Sequence, residues 1–92
     1  MVEREATIRN KAGIHVRPSG VIMDEVGGYD GAVTIHAKNA TVELNNVMAL
    51  LSLGLEQGDT IHLQVEGPNE EEMADTLVEL FERHFDFPRK ES

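Results

Sequence analysis

The sequence predicts an α/β fold of the α+β kind: a two-layer, open-faced β-sandwich with three helices on one face of a four-stranded antiparallel sheet. Four short segments alternate apolar and polar residues, three have helical spacing, and their order is βαββαβα. Short alternating strands with one-sided helices favour an antiparallel sheet that is buried on one face only. The 92 residues suffice for one domain. We place it at residues 1–85, with an aperiodic C-terminal tail at 86–92.

Four segments are predicted to be half-buried strands, because apolar side chains recur at every second residue. They span residues 2–8, 32–37, 42–44 and 60–66, and residues 38–40 form the turn between the second and third. His36 and His62 fall on the polar phase of their strands, so we expect both on the solvated sheet face, as cross-strand neighbours. No third metal ligand accompanies them in the sequence, and we predict no metal site.

Three segments place apolar side chains at steps of three and four residues, the spacing of one helix face. The three stripes comprise Ser19, Ile22, Met23 and Val26; then Val47, Met48, Leu50 and Leu51; then Met73, Leu77, Leu80, Phe81 and His84. Asn46 and Asn69 are the predicted N-caps of the second and third helices. Residues 70–72 are three glutamates in the first turn of the third helix, where the helix dipole favours negative charge.

Composition excludes several classes of function. The absence of cysteine excludes a disulfide scaffold, a thiol nucleophile and an iron–sulfur cluster. The net charge of −9 disfavours nucleic-acid binding and docking on anionic membranes. No apolar run approaches the about 18 residues of a membrane span, so we expect a cytosolic protein without membrane insertion. No carboxylate dyad, Ser-His-Asp set or glycine-rich nucleotide loop indicates a stand-alone enzyme or a cofactor.

The segment at residues 13–18, GIHVRP, lies between a predicted strand and a predicted helix. Gly13 permits a tight turn, and Pro18 suits a first helical turn, where its missing N–H is no loss. His15 then falls at or next to the helix N-cap, where free N–H groups favour an anion. Arg17 adds a guanidinium fork that matches phosphate. The combination favours a histidine that accepts a phosphoryl group, although such a segment alone is also typical of a helix cap or a surface loop.

Two segments resemble the HPr family, the histidine-containing phosphocarriers of the bacterial phosphoenolpyruvate:sugar phosphotransferase system. Residues 12–18, AGIHVRP, are similar to the family's active-site signature, and residues 45–55, NNVMALLSLGL, to its second conserved segment. The resemblance implies the sheet order 1-4-2-3. It also implies that phospho-enzyme I phosphorylates His15 on Nδ1 and that the group passes to an EIIA-type domain. Arg17 and the backbone N–H groups of Val16 and Arg17 would bind the phosphoryl group.

The resemblance also implies a patch that docks partner proteins, made of Gly20, Val47, Met48 and Leu51. The alternative is that these apolar residues are core. A short helix cannot bury all its apolar residues, so we expect Leu50 and Leu53 to be buried and Met48 and Leu51 to be partly exposed. Exposed methionine suits a surface that accepts several partners.

Two departures from the family pattern concern regulation and charge. Many Gram-positive members carry, at the start of the second helix, a serine that HPr kinase phosphorylates. Asn46 has no hydroxyl, so we expect this regulation to be absent in its usual form. Asp24 and Gly27 stand where basic residues are frequent in the family. Either the partners here have changed charge to match, or docking rests on apolar contacts.

Three functions remain open at this level. The first is a monomeric phosphocarrier that feeds sugar permeases. The second is the same chemistry in a regulatory, nitrogen-type chain with transcriptional or metabolic regulators as partners. Asn46 and the acidic composition favour such a regulatory role or a reduced phosphotransferase system. The third is an adaptor that binds partners without phosphotransfer. The presence of both His15 and Arg17 argues against an adaptor.

Overall fold

The structure, a computed structural model, describes residues 1–11, 13–14 and 16–83. The elements are β1 (Val2–Thr7), α1 (Val16–Gly27), β2 (Ala32–Ala37), β3 (Ala40–Glu43), α2 (Val47–Leu51), β4 (Thr60–Glu66) and α3 (Glu70–Phe81). The predicted element order is therefore confirmed. The third strand lies two residues earlier than predicted at its start, because the chain turns back at residues 38–39. The predicted domain end at residue 85 and the tail 86–92 lie outside the described residues, as does His84.

The strands form one sheet in the order β1-β4-β2-β3, and every neighbouring pair is antiparallel. The order confirms the expectation drawn from the resemblance. Lys38 and Asn39 join β2 to β3 with φ values of 52° and 63°. Positive φ at both central residues gives the backbone twist that a tight hairpin needs, and asparagine adopts it more readily than most residues.

The core lies between the sheet and the three helices. The inward residues of the two central strands are buried, among them Val33, Ile35, Ile61, Leu63 and Val65. These strand residues form one hydrophobic cluster with buried residues of the three helices, namely Ile22, Val26, Leu50, Ala74, Leu77, Leu80 and Phe81. Side chains at every second strand position and every third or fourth helix position thus share one interior, as the sequence patterns predict.

The two predicted asparagine caps have different outcomes. Asn46 caps α2 with an extended backbone, and its Oδ1 accepts a hydrogen bond from the Ala49 N–H at 2.9 Å. Asn69 has a left-handed backbone, φ 49°, and makes no side-chain cap bond. Asn69 therefore occupies the predicted N-cap position, but the cap bond does not form because a side-chain cap needs a backbone in the extended region. Instead, Glu70 Oε1 accepts from the Gly67 N–H at 3.1 Å.

The uncovered face of the sheet carries the two histidines, as predicted. His36 and His62 are directly paired across β2 and β4, with ring centroids 6.4 Å apart. His36 Nδ1 lies 2.7 Å from Thr41 Oγ1, and His62 Nε2 lies 3.1 Å from Glu3 Oε1. Among the described residues, no group of three or more acidic, histidine or cysteine side chains could hold a metal ion. Within the same ranges, no helix is both long and apolar enough to cross a membrane.

Candidate functional site

A tight turn ends the loop that leads from β1 toward α1. The Gly13 N–H donates to the Asn10 carbonyl at 2.9 Å and closes the turn. Gly13 has a φ of 75°, and a Cβ there would collide with the Leu55 carbonyl oxygen. Two features therefore require glycine at position 13: its backbone is left-handed, and the backbone of Leu55 lies too close for a side chain.

A second loop, residues 54–59, supports this turn through backbone hydrogen bonds. The Ile14 N–H donates to the Leu55 carbonyl at 3.0 Å. The Ile8 N–H donates to the Asp59 carbonyl, and the Gly58 N–H donates to the Ile8 carbonyl, both at 2.8 Å. The segment before α1 is therefore held at both ends by a neighbouring loop.

The side chain of Asp59 stabilises the supporting loop. Its Oδ2 accepts from the Glu56 N–H at 2.8 Å and lies 3.2 Å from Lys38 Nζ, which also donates to the Gly54 carbonyl. The hydrogen bond from the Glu56 N–H lowers the pKa of the Asp59 carboxyl, and the Lys38 ammonium lowers it further by a smaller amount. The ionised carboxylate therefore stabilises the loop that carries Leu55.

Stability should depend on pH through Asp59. Because its pKa is lower in the folded protein than in the unfolded chain, its contribution is full above the unfolded value and is lost as pH falls through the folded one. Thermal melts should show Asp59→Asn less stable than the natural protein at pH 7, with the gap closing below about pH 4, near the unfolded pKa of an aspartate.

The exposed Asp24 provides a matched control for that series. Asp24→Asn, which removes an exposed carboxylate, should change the melting temperature at pH 7 much less than Asp59→Asn does. A gap for Asp59→Asn that stays constant down to pH 2 would contradict the assigned role of the Asp59 charge.

The first turn of α1 contains most of the predicted phosphate-binding groups. The helix begins at Val16, so the N–H groups of Val16 and Arg17 belong to the turn that lacks intrahelical partners in any α-helix. Arg17 is exposed, and Pro18 is buried at the third helical position, inside the first turn as predicted. His15, which precedes Val16 in the sequence, lies outside the described residues.

The predicted division between buried and exposed apolar residues on and just after α2 is confirmed. Met48 is 68 % and Val47 37 % exposed, whereas Leu50 and Leu53 are buried. Leu51 is half-buried, and Gly20 on α1 is exposed. We call Gly20, Val47, Met48 and Leu51 the α2 patch. The side of α2 that faces away from the core therefore exposes the apolar side chains of Val47 and Met48.

Sequence reasoning missed the roles of two polar residues near the site, Asn10 and Asp59, whereas it placed Ser19 on the inward stripe of its helix. Asn10 and Ser19 are each 0 % exposed. Asn10 Nδ2 donates to the Gly13 carbonyl at 2.7 Å, whereas Ser19 Oγ has no hydrogen-bond partner among the described residues. The one available signal was an asparagine three residues before a glycine, a spacing common in turns.

Comparisons with known proteins agree with this geometry. A family model described as PTS-HPr, the PTS HPr component phosphorylation site, matches residues 2–83. Phosphocarrier protein NPr from Escherichia coli strain K12 is 35 % identical over 92 % of this chain and 96 % of its own length. Phosphocarrier protein HPr from Xylella fastidiosa is 29 % identical over the same shares.

Solved structures show the same fold. The crystal structure of HPr-C-His from Thermoanaerobacter tengcongensis has a TM-score of 0.81 and 32 % identity, over 88 % of this chain and 91 % of that one. HPr from Bacillus anthracis has a TM-score of 0.82, over 88 % and 96 %, at 23 % identity, which supports the fold alone. The turn before α1, the exposed arginine in its first turn and the match along nearly the whole chain lead to one conclusion: this chain belongs to the HPr family of phosphocarriers of the phosphotransferase system.

Proposed function

We propose that this protein accepts a phosphoryl group on His15 from phospho-enzyme I and passes it to an EIIA-type domain. The observation that carries the proposal is the fixed turn at Gly13, which leads over a few residues into a helix that presents Arg17 in its first turn. A helix start and a guanidinium together favour the phosphoryl dianion.

The transfer step is a substitution at phosphorus. The lone pair on Nδ1 of neutral His15 attacks the phosphorus of the donor's phosphohistidine, and Nε2 keeps its proton. A new N–P bond forms while the donor's N–P bond breaks, and the donor nitrogen retains that electron pair. Positive charge nearby favours the neutral imidazole, the form with a lone pair to attack. In the second step His15 is the leaving group.

The α2 patch is the proposed contact surface for both partners. An exposed methionine adapts to differently shaped surfaces, which suits a carrier that binds a donor and an acceptor in turn. We propose that one monomer of the carrier binds one partner at a time. The net charge of −9 disfavours attraction to an acidic partner, so apolar contacts supply most of the affinity.

Intact-mass measurement tests the acceptor. After incubation with phosphoenolpyruvate and enzyme I, the mass should rise by one phosphoryl group. The group should be lost in acid, as a phosphoramidate is, and His15→Ala should stay unmodified. An acid-stable phosphoester on Ser19 or Ser52 would contradict the proposal.

A regulatory, nitrogen-type chain is the second candidate. It is favoured by Asn46 at the position of the regulatory serine and by the similarity to NPr proteins. Transfer from the phosphorylated carrier to a nitrogen-type EIIA and to a sugar-type EIIA, measured side by side, separates the two. Faster transfer to the sugar-type domain would favour the transport branch.

Asn46 should block serine-type regulation. HPr kinase with ATP should leave the natural protein unlabelled, because the amide at this helix cap has no hydroxyl to phosphorylate. Asn46→Ser should become labelled while keeping the cap, since serine also accepts from an N–H of the first turn. Asn46→Ala is the matched control and should stay unlabelled. Stoichiometric labelling of the natural protein would show that another hydroxyl has taken the role.

A further inference from the structure

We propose that Asn10 is a positioning residue for the phosphoryl-accepting histidine, a role that rests on the function proposed above. Asn10 is fully buried, unlike most asparagines, and lies in the turn just before α1. Its side chain donates to the Gly13 carbonyl at 2.7 Å, and its own carbonyl accepts from the Gly13 N–H at 2.9 Å. Asn10 therefore contacts both polar groups of Gly13.

The hydrogen bond from Asn10 Nδ2 and a second hydrogen bond with another loop act on the same peptide unit. The peptide between Gly13 and Ile14 carries the Gly13 carbonyl, bound to Asn10 Nδ2, and the Ile14 N–H, bound to the Leu55 carbonyl at 3.0 Å. A trans peptide directs these two groups to opposite sides. The plane is thus held from both sides, and it cannot rotate without breaking a buried hydrogen bond.

This peptide plane is where control of the site is most needed. Glycine has the widest range of backbone angles of any residue, so an unrestrained Gly13 would let the following chain take several directions. His15 comes two residues later in the sequence, directly before the start of α1. Group transfer is sensitive to misplacement of the reacting atoms by as little as about 1 Å. The Asn10 amide and the Leu55 carbonyl restrict the very freedom that Gly13 introduces.

Two variants separate positioning from simple stabilisation of the fold. Asn10→Ala removes the Nδ2 donor of the hydrogen bond to the Gly13 carbonyl. Asn10→Asp keeps the size and shape, but it presents acceptor oxygens to the carbonyl oxygen. If only packing at residue 10 mattered, the aspartate variant would behave like the natural protein. The control is Val65→Ala, a buried truncation at the opposite end of β4 from Asp59, which loses stability without touching the turn.

The test measures the rate of phosphorylation by enzyme I and phosphoenolpyruvate at varied carrier concentration, which gives kcat and KM for each variant. Circular dichroism at the assay temperature gives the folded fraction of each variant. Partial unfolding lowers the effective carrier concentration and so raises the apparent KM, whereas misplacement of the acceptor lowers kcat. We expect kcat per folded molecule to fall about tenfold or more in Asn10→Ala and at least as far in Asn10→Asp. Val65→Ala should keep the natural kcat.

Each alternative result has a definite meaning. A natural kcat in Asn10→Asp, or a loss in Asn10→Ala that the folded fraction accounts for, would overturn the positioning role and leave the proposed function intact. A natural protein that enzyme I does not phosphorylate on His15 would overturn the proposed function, and the role of Asn10 with it.

Discussion

Arg17→Gly should transfer its phosphoryl group on the order of 10²-fold more slowly than the natural protein, a loss of ~3 kcal/mol in transition-state stabilisation. In the proposed function, a phosphoryl group on His15 carries close to two negative charges, and the N–H groups of a helix start offset only part of them. Arg17 is exposed in the first turn of α1. Its side chain can therefore follow the group through the complexes with donor and acceptor.

Arg17→Lys is the matched variant, because it keeps the charge and loses the fork that binds two phosphate oxygens at once. It should fold normally and fall between the natural protein and Arg17→Gly in stopped-flow transfer assays. Salt must be held constant, since the acidic chain makes encounter rates sensitive to ionic strength. Equal rates for Arg17→Gly and the natural protein would mean that the helix start is sufficient without the arginine.

Met48→Asp should raise the KM for phosphorylation by enzyme I by about tenfold or more, the loss expected when a charge replaces an apolar contact residue in an interface. Met48 is 68 % exposed in the free protein, so the stability of the fold should change by less than about 0.5 kcal/mol. The aspartate carboxylate would be buried without a partner charge only when another protein covers it, so the unfavourable free energy weakens binding and leaves folding unchanged.

Met48→Leu is the conservative control and should keep a KM close to the natural value, because it retains the apolar surface. Thermal melts of both variants separate binding from stability. If Met48→Asp unfolds the domain, Met48 contributes to the core. If its KM is natural, the partners bind elsewhere.

The strands were the most predictable part of the fold. β2 and β4 coincide with the predicted segments because their alternation is regular, as in Ile61, Leu63 and Val65. A two-residue period determines which face of a strand is buried before any tertiary contact is known. The same reasoning placed His36 and His62 on the uncovered face, where they are found.

The support of the candidate site was not predictable in the same way. Asn10 acts through hydrogen bonds within its own turn, and Asp59 acts through its contacts with the Glu56 N–H and Lys38. Neither residue belongs to a periodic pattern that a single sequence reveals. Asn69 illustrates the converse: the residue type suits a helix cap, but a left-handed backbone prevents the cap bond. Residue identity indicates which hydrogen bonds a side chain can make, and the backbone angles decide which of them form.

The central claim, that His15 Nδ1 carries the phosphoryl group, is tested most directly by NMR of the histidine ring nitrogens before and after phosphorylation. Coupling to ³¹P identifies both the residue and the ring nitrogen. The chain offers four histidines, at positions 15, 36, 62 and 84, so each serves as an internal control for the others. We expect ³¹P coupling at Nδ1 of His15 and unchanged spectra for the other three rings. Coupling at His36, His62 or His84, or at Nε2 of His15, would contradict the account.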